Sequence, residues 1–270
     1  MTRAILLGTT GIATAFAMLA FGYISGKPQP AIAGDTPQIM AQAQGIDRKE
    51  VEEIVRDYLL KNPEILLEMQ SVLEAKQKEE ERIAQLDTIK GAKDAIFNAA
   101  HDGIVGNPAG KVTIVEFYDY NCGYCKRALE DMQALVAADP DLRFVLKEFP
   151  ILGPDSQKAH VVSQAFLKLM PEKYGEFHTR LIGGQGRAGE ATAIKIAVEL
   201  GADEAKLREA MKDPAISEVF SQTYDLANKL HITGTPSYVV GNEVVFGALG
   251  RDVLTEKIAA ARACIVDASC

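Results

Sequence analysis

The chain has 270 residues with 29 Lys or Arg and 37 Asp or Glu, giving a net charge of −8. That length suits one large domain or two modest ones, and 47% hydrophobic with 24% charged residues excludes both wholesale disorder and a multi-span membrane protein. The acidic balance, the absence of Trp and the dispersed 8 Tyr and 10 Phe exclude a nucleic-acid partner read through phosphates or stacking. Four cysteines are too few for a disulfide framework, so their placement matters more than their number.

The first residues read as an export address. Met1-Thr2-Arg3 is a short basic start, Ala4 to Gly22 is uncharged and mostly apolar, and Ala31-Ile32-Ala33 has the small-x-small form of a cleavage site. Residues 1–33 are therefore expected to be a cleavable signal peptide, with an uncleaved anchor over residues 4–22 as the alternative, since about 19 uncharged residues can just span a bilayer. Either way the remainder faces an oxidising compartment, in which a thiol pair has redox consequences.

Residues 34–87 read as a linker followed by a helical oligomerisation segment. After the polar stretch Asp35 to Gly45, Asp47-Arg48-Lys49-Glu50 resembles a capping box. Val51, Ile54, Val55, Tyr58 and Leu59 then fall on one helical stripe. Asn62-Pro63 is expected to stop this helix and cap the next, which carries Ile65, Leu66, Met69, Val72 and Leu73. Beyond it the seam turns polar through Lys76-Gln77-Lys78-Glu79-Glu80-Glu81-Arg82, a charged stalk with little reason to pack. Two short amphipathic helices need a partner for their apolar faces, so a self-associating stalk is expected, with folding back onto the main domain as the alternative.

Residues 88–270 have the character of an α/β domain. Thr88 to Ala100 reads as a helix, Gly103 to Gly110 as a turn-rich entry, Lys111 to Tyr118 as a buried strand, Cys122 to Ala138 as a helix and Leu142 to Phe149 as the next strand. Strand, helix and strand make a right-handed crossover unit. A helical insertion over about 154–230 follows, then two short strands around the hairpin signal Gly241-Asn242, and a final amphipathic helix from Arg251 to about Val266.

Cys122-Gly123-Tyr124-Cys125 lies where the strand ends and the helix begins. A thiol at a helix N-terminus faces backbone N–H groups without intrahelical partners, at the positive end of the macrodipole. Its thiolate is stabilised and its pKa falls below about 8.5. Cys122, before the first turn, is expected to be exposed and nucleophilic; Cys125, inside that turn, is expected to resolve a mixed disulfide on Cys122. Half of a zinc or copper site is the competing reading of one CxxC, but no second CxxC or HxxxH accompanies it. A binding module holding Cu(I) on the two thiolates remains the alternative of another class.

The runs Glu116 to Met132, Lys147 to Ser156 and Gly234-Thr235-Pro236-Ser237 resemble the DsbA-like thiol:disulfide oxidoreductases. Within them the similarity points to the suppressor of copper sensitivity protein C group, with Com1-type outer-membrane proteins as relatives. The resemblance implies a thioredoxin fold with an inserted helical domain, a periplasmic location, dithiol–disulfide exchange on misfolded or reduced exported proteins, and no cofactor or metal. It implies that Pro236 is a cis-proline facing the cysteine pair, so that the backbone of Thr235 is exposed to pair with an extended substrate segment. It also implies that Glu116 is a buried proton acceptor, and that Gly123 and Tyr124 belong to the active site, Tyr124 on the substrate surface. Gly-Tyr between the cysteines and Thr before the proline resemble the disulfide isomerases more than the strong oxidases. A disulfide isomerase or reductase is therefore expected, trimeric through residues 47–75 and kept reduced by a membrane thiol reductase of the DsbD type; a DsbA-type oxidase is the alternative.

Other residues read as structural. Cys264 and Cys270 can close a small loop only if the helix unwinds after Val266, because about 9 Å of helical rise otherwise separates them; free thiols are the alternative. His101, His160, His178 and His231 show no ligand spacing, and His231 is expected in a loop or cap. Gly183-Gly184-Gln185-Gly186 reads as a joint between insertion helices. Lys126 and Arg127 either add positive potential near the cysteines or form a solvated helix face.

Overall fold

The structure, a computed structural model, describes residues 47–266. The signal peptide expected in residues 1–33, most of the linker and Cys270 lie outside the described residues. The chain divides into a unit ending at Asn62 and a unit beginning at Pro63.

The first unit contributes helix α1 (Arg48–Lys61). Asp47 caps it, its carboxylate accepting from the Lys49 N–H at 3.2 Å. Val51, Ile54, Val55, Tyr58 and Leu59 are all exposed. Asn62 stops α1 as expected, its side-chain amide donating back to the Tyr58 carbonyl at 2.8 Å, but it does not cap the next helix. The next helix starts after Pro63-Glu64, with Glu64 at its N-cap position.

In the second unit, helix α2 (Ile65–Gly91) runs without a break through the charged stretch. Neither Gly nor Pro interrupts it before Gly91, and Ala, Leu, Glu, Lys, Gln and Arg are strong helix formers. The helix expected over Thr88–Ala100 is instead the end of α2 followed by the separate short α3 (Lys93–Phe97). Leu66, Leu67, Met69, Val72 and Leu73 are exposed near the start of α2, whereas Gln85 and Ile89 near its end are buried. The Gln85 amide donates to the Leu230 carbonyl at 3.0 Å and the Thr88 hydroxyl to the Lys229 carbonyl at 3.3 Å, so this end is seated on the domain.

The sheet consists of β1 (Gly103–Gly106), β2 (Val112–Tyr118), β3 (Leu142–Glu148), β4 (Ser237–Val240) and β5 (Glu243–Phe246), in the order β1-β3-β2-β4-β5. β2 and β3 are parallel, joined by α4 (Gly123–Ala138); the other pairings are antiparallel. β1 falls in the stretch read as a turn-rich entry. Its pairing to β3 is a tertiary event, and Gly103 lets it pass the Tyr174 ring, where a Cβ would meet Cε1 at 1.7 Å. Helices α5 (Pro154–Leu169), α6 (Tyr174–Ile182), α7 (Glu190–Glu199), α8 (Glu204–Ala210) and α9 (Ala215–Lys229) form the insertion between β3 and β4. The closing helix is α10 (Arg251–Val266). Nearly every residue of β2 and β3 is buried, so the central strands are covered on both faces.

That burial extends to a cation. Lys147 on β3 retains 1% exposure and donates to the Ala95 carbonyl at 2.5 Å and to the Asp102 carboxylate. Burial pushes Asp102 up to about 7, against the pull of Lys147. The pair is therefore fully ionic only above that pH. Lys147→Met is expected to cost about 3–5 kcal/mol in urea unfolding at pH 8, because it strands a buried carboxylate. The cost should shrink toward pH 5, where Asp102 is protonated. An equal cost at both pH values would mean that packing, and not the ion pair, holds this site.

Candidate active site at the head of α4

Strand β2 delivers the chain to the site and α4 leads away from it. Cys122 is the N-cap of α4, in extended conformation, and its Sγ accepts from the Cys125 N–H at 3.4 Å. It also donates to the Thr235 carbonyl at 3.1 Å, and the Thr235–Pro236 peptide bond is cis. The Thr235 contact closes over the sulfur, so Cys122 keeps 6% of its surface and is less exposed than its place before the first turn suggests. Cys125 keeps 1%. Gly123 is exposed, and Tyr124 is 59% exposed with the Arg127 guanidinium 4.3 Å from its ring centre.

The two sulfurs have opposite electrostatics. Cys122 is lowered to about 5, first by the Cys125 side chain, then, against the cost of its own burial, by the Thr235 side chain and the N–H groups of Cys125 and Tyr124. Cys125 is pushed far upward by burial, with the neighbouring Cys122 and Glu116 charges adding to it. Glu116 on β2 is 2% exposed, its Oε2 has no hydrogen-bond partner, and burial followed by the Cys122 charge raises it to about 8. One ready thiolate, one protonated thiol and one carboxyl that changes charge near neutrality thus share one end of the sheet.

Two polar clusters hold this turn, and sequence reasoning missed both. In the first, the Asp119 carboxylate accepts from the Asn121 N–H at 2.8 Å, the Ser156 hydroxyl at 2.8 Å and the Leu152 N–H at 2.9 Å. In the second, Glu148 at the end of β3 accepts from Ser163 at 2.6 Å and Tyr174 at 3.2 Å, and pairs with His160 Nδ1 at 2.8 Å. The Tyr120 N–H donates to His160 Nε2 at 3.3 Å, so His160 carries its proton on Nδ1, facing the carboxylate. The legible signal was Ser156, His160 and Ser163 at i, i+4 and i+7, three polar residues on the buried face of α5.

Other residues singled out along the chain fall elsewhere. His231 closes α9 with a positive φ of 57°, its N–H donating to the Asn228 carbonyl. Lys126 neither joins a solvated face nor turns to the thiolate: its ammonium donates to the Gly184 and Gly186 carbonyls at 2.9 Å each. Cys264 is disulfide-bonded. Among the described residues no cluster of three or more His, Cys, Asp or Glu converges as a metal site.

Comparison with known proteins agrees with this geometry. Residues 113–259 match the DSBA-like thioredoxin domain. The chain belongs to that family. Residues 47–80 also match the copper resistance protein ScsC N-terminal domain, a segment with neither Cys nor His. A thioredoxin-like oxidoreductase of Silicibacter pomeroyi is 41% identical with a TM-score of 0.60, covering 63% of this chain and 96% of that one. An ScsC variant of Proteus mirabilis with a deleted linker is 27% identical with a TM-score of 0.63, covering 83% and 99%. Among curated relatives, the antiporter NhaA 3 of Salinispora tropica is 25% identical over 59% of this chain. The chain spans only 24% of that protein's length. The chain thus joins an N-terminal segment of the ScsC type to a DSBA-like thioredoxin domain carrying a helical insertion.

For this DsbA-like site the ultraviolet absorbance of the reduced protein is expected to report a thiolate titrating near pH 5. The folded value lies below that of an unfolded thiol, about 8.5. The reduced protein therefore has its extra stability in full above that unfolded value and loses it as pH falls through about 5. Cys122→Ser should remove both the titration and this pH dependence, and Cys125→Ala should move the midpoint upward. A midpoint in wild type near that of a free thiol would refute the asymmetry.

Proposed function

We propose that the protein is an exported protein disulfide isomerase or reductase, with Cys122 as nucleophile and Cys125 as resolving thiol. The observation that carries this reading is the placement of the pair, with Cys122 at the N-cap of α4 against the Thr235 carbonyl of a cis Thr235–Pro236 peptide bond and Cys125 buried one turn on. A low thiolate pKa stabilises the dithiol form and makes Cys122 a good leaving group, so mixed disulfides are released readily.

In the proposed cycle the Cys122 thiolate attacks a substrate disulfide. One Cys122–substrate S–S bond forms, the substrate bond breaks, and the departing substrate sulfur leaves as thiolate. In isomerisation that thiolate attacks elsewhere in the substrate until a new substrate sulfur displaces Cys122. In reduction Cys125 gives its proton to an ionised Glu116 and attacks the Cys122 sulfur, the Cys122–substrate bond breaks, and the two substrate thiolates take one proton from Glu116 and one from water to leave as a dithiol. The resulting Cys122–Cys125 disulfide must then receive two electrons, from a membrane thiol reductase of the DsbD type, and one proton to restore the Cys122 thiolate and the Cys125 thiol. Thr235, at the cis peptide before Pro236, offers its backbone to an extended substrate segment, and Gly123 and Tyr124 border it.

In this reading residues 1–33 are removed on export to the periplasm, 34–87 carry assembly and 88–270 carry the redox domain. No helix among the described residues is long and apolar enough to cross a membrane. The exposed apolar residues of α1 and α2 support self-association through residues 47–75, and three copies are the assembly proposed. Several thiolates on one assembly would act on one misfolded substrate at high effective concentration.

The test compares wild type with Val55→Glu/Leu59→Glu in refolding of scrambled ribonuclease, with mass in solution measured alongside. Both residues are exposed, so the catalytic fold should not suffer. Wild type is expected to assemble and to refold the scrambled protein. The variant should be monomeric and lose about tenfold or more of that activity, on the scale of effective-concentration effects, while still reducing a small disulfide. A monomeric wild type that only oxidises reduced substrate would make the protein a DsbA-type oxidase instead.

A further inference from the structure

Asn121 immediately precedes the nucleophile proposed above, and its side chain belongs as much to the insertion as to the sheet. Its amide exchanges two hydrogen bonds with one residue, Nδ2 donating to the Ala188 carbonyl at 2.9 Å and Oδ1 accepting from the Ala188 N–H at 2.7 Å. A third bond runs from Nδ2 to the Ser156 hydroxyl at 3.0 Å. The side chain thus behaves toward Ala188 as a strand backbone does toward its partner, and Ala188 is 4% exposed.

Besides Arg187, which donates to the Asp155 carboxylate at 2.7 Å and the Leu152 carbonyl at 2.9 Å, the segment so held is mostly glycine. Gly183, Gly184, Gly186 and Gly189 supply most of the stretch between α6 and α7, and Gly186 has φ +78°. Glycine-rich chain loses more conformational entropy on ordering than any other. Lys126, one residue after Cys125, grips the same segment through Gly184 and Gly186. The redox pair is therefore bracketed by two residues that reach the same loop of the insertion.

The bracketing has a mechanical consequence at the sulfur. The Asn121 N–H is fixed on Asp119 at 2.8 Å and the Cys122 N–H on the Asp119 carbonyl at 3.0 Å, so residues 119–122 form one tight turn. The amide of Asn121 anchors the outer side of that turn to Ala188 and Ser156. Without it the N-cap sulfur is free to swing from the first N–H groups of α4, on which thiolate stabilisation at a helix terminus depends.

We infer that Asn121 is a positioning residue, which docks the insertion's Gly183–Ala188 segment against the redox turn and so keeps the Cys122 sulfur on the N-terminus of α4. This rests on the reading of Cys122 as the nucleophile. It assigns the insertion a second task besides covering the sheet, namely preorganising the redox turn.

Three full-length proteins decide it: wild type, Asn121→Ala and Ser156→Ala. Each is titrated for thiolate absorbance, equilibrated with glutathione and unfolded in urea. Asn121→Ala is expected to raise the thiolate midpoint by about one pH unit or more, within the range that helix-terminus placement moves such thiols. Its equilibrium with glutathione should shift toward the disulfide, because the reduced form loses stabilisation. Ser156→Ala, which removes one bond to Asn121 and one to Asp119, should move both readouts in the same direction by less; it carries the test if Asn121→Ala does not fold. A purely structural role would lower urea stability and leave midpoint and equilibrium unchanged, and that result overturns the inference. If wild type itself shows no thiolate near pH 5, the reading of Cys122 fails, which is a separate outcome.

Discussion

A helix N-terminus has room for one stabilised sulfur, and the redox turn is built around that limit. The free N–H groups of α4 converge on its N-cap, where Cys122 sits, while a side chain three residues later is carried into the core. One turn of helix therefore gives two identical thiols opposite environments: Cys122 is lowered to about 5 and Cys125 is pushed far upward. The parallel β2–α4–β3 arrangement needs no cysteines to fold. What this chain adds is an anchored N-cap, with the Thr235 carbonyl on one side and the Asp119–Asn121 turn on the other.

Of the buried carboxylates near this turn, Glu148 and Glu116 differ most in how well they are satisfied. Glu148 has three partners, one of them a histidine whose other nitrogen receives the Tyr120 N–H. A fully satisfied buried network is rigid, and this one ties the end of β3 to the approach to the cysteines. Glu116 leaves Oε2 buried without a partner. An unsatisfied buried oxygen calls for an explanation, and the proposed cycle supplies one by giving this carboxyl, raised to about 8, a proton exchange with Cys125. The contrast separates a satisfied acid from an unsatisfied one more clearly than burial alone, since both are nearly inaccessible.

Helix α2 links two properties that composition had kept apart. Its first turns expose Leu66, Leu67, Met69, Val72 and Leu73, while its last turns bury Gln85 and Ile89 on the redox domain. Residue 88 lies inside this helix, so a cut there would remove Gln85 as well as the apolar turns. Substitution within the apolar residues is the cleaner way to separate the proposed assembly from the proposed thiol exchange.

Much of this was legible in one dimension. The helical span of about 154–230 marked the insertion, the apolar runs located β2 and β3, and Gly241-Asn242 marked the β4–β5 hairpin. The Cys-Gly-Tyr-Cys run at a strand–helix junction located the site, because capping and helix-terminus chemistry act within a few residues. The short strand β1, the continuity of α2 and the Lys147–Asp102 pair were not legible. Each depends on a distant partner strand or side chain, or on the domain surface that α2 meets. The same holds for Asn121, whose amide is one ordinary polar side chain until Ala188, 67 residues later, is brought against it. Which thiol stands at the helix terminus follows from the order of residues alone, since that is a local property of the chain. What holds the thiol there was settled only when the chain folded, because hydrogen bonds between distant segments leave no periodic trace in either.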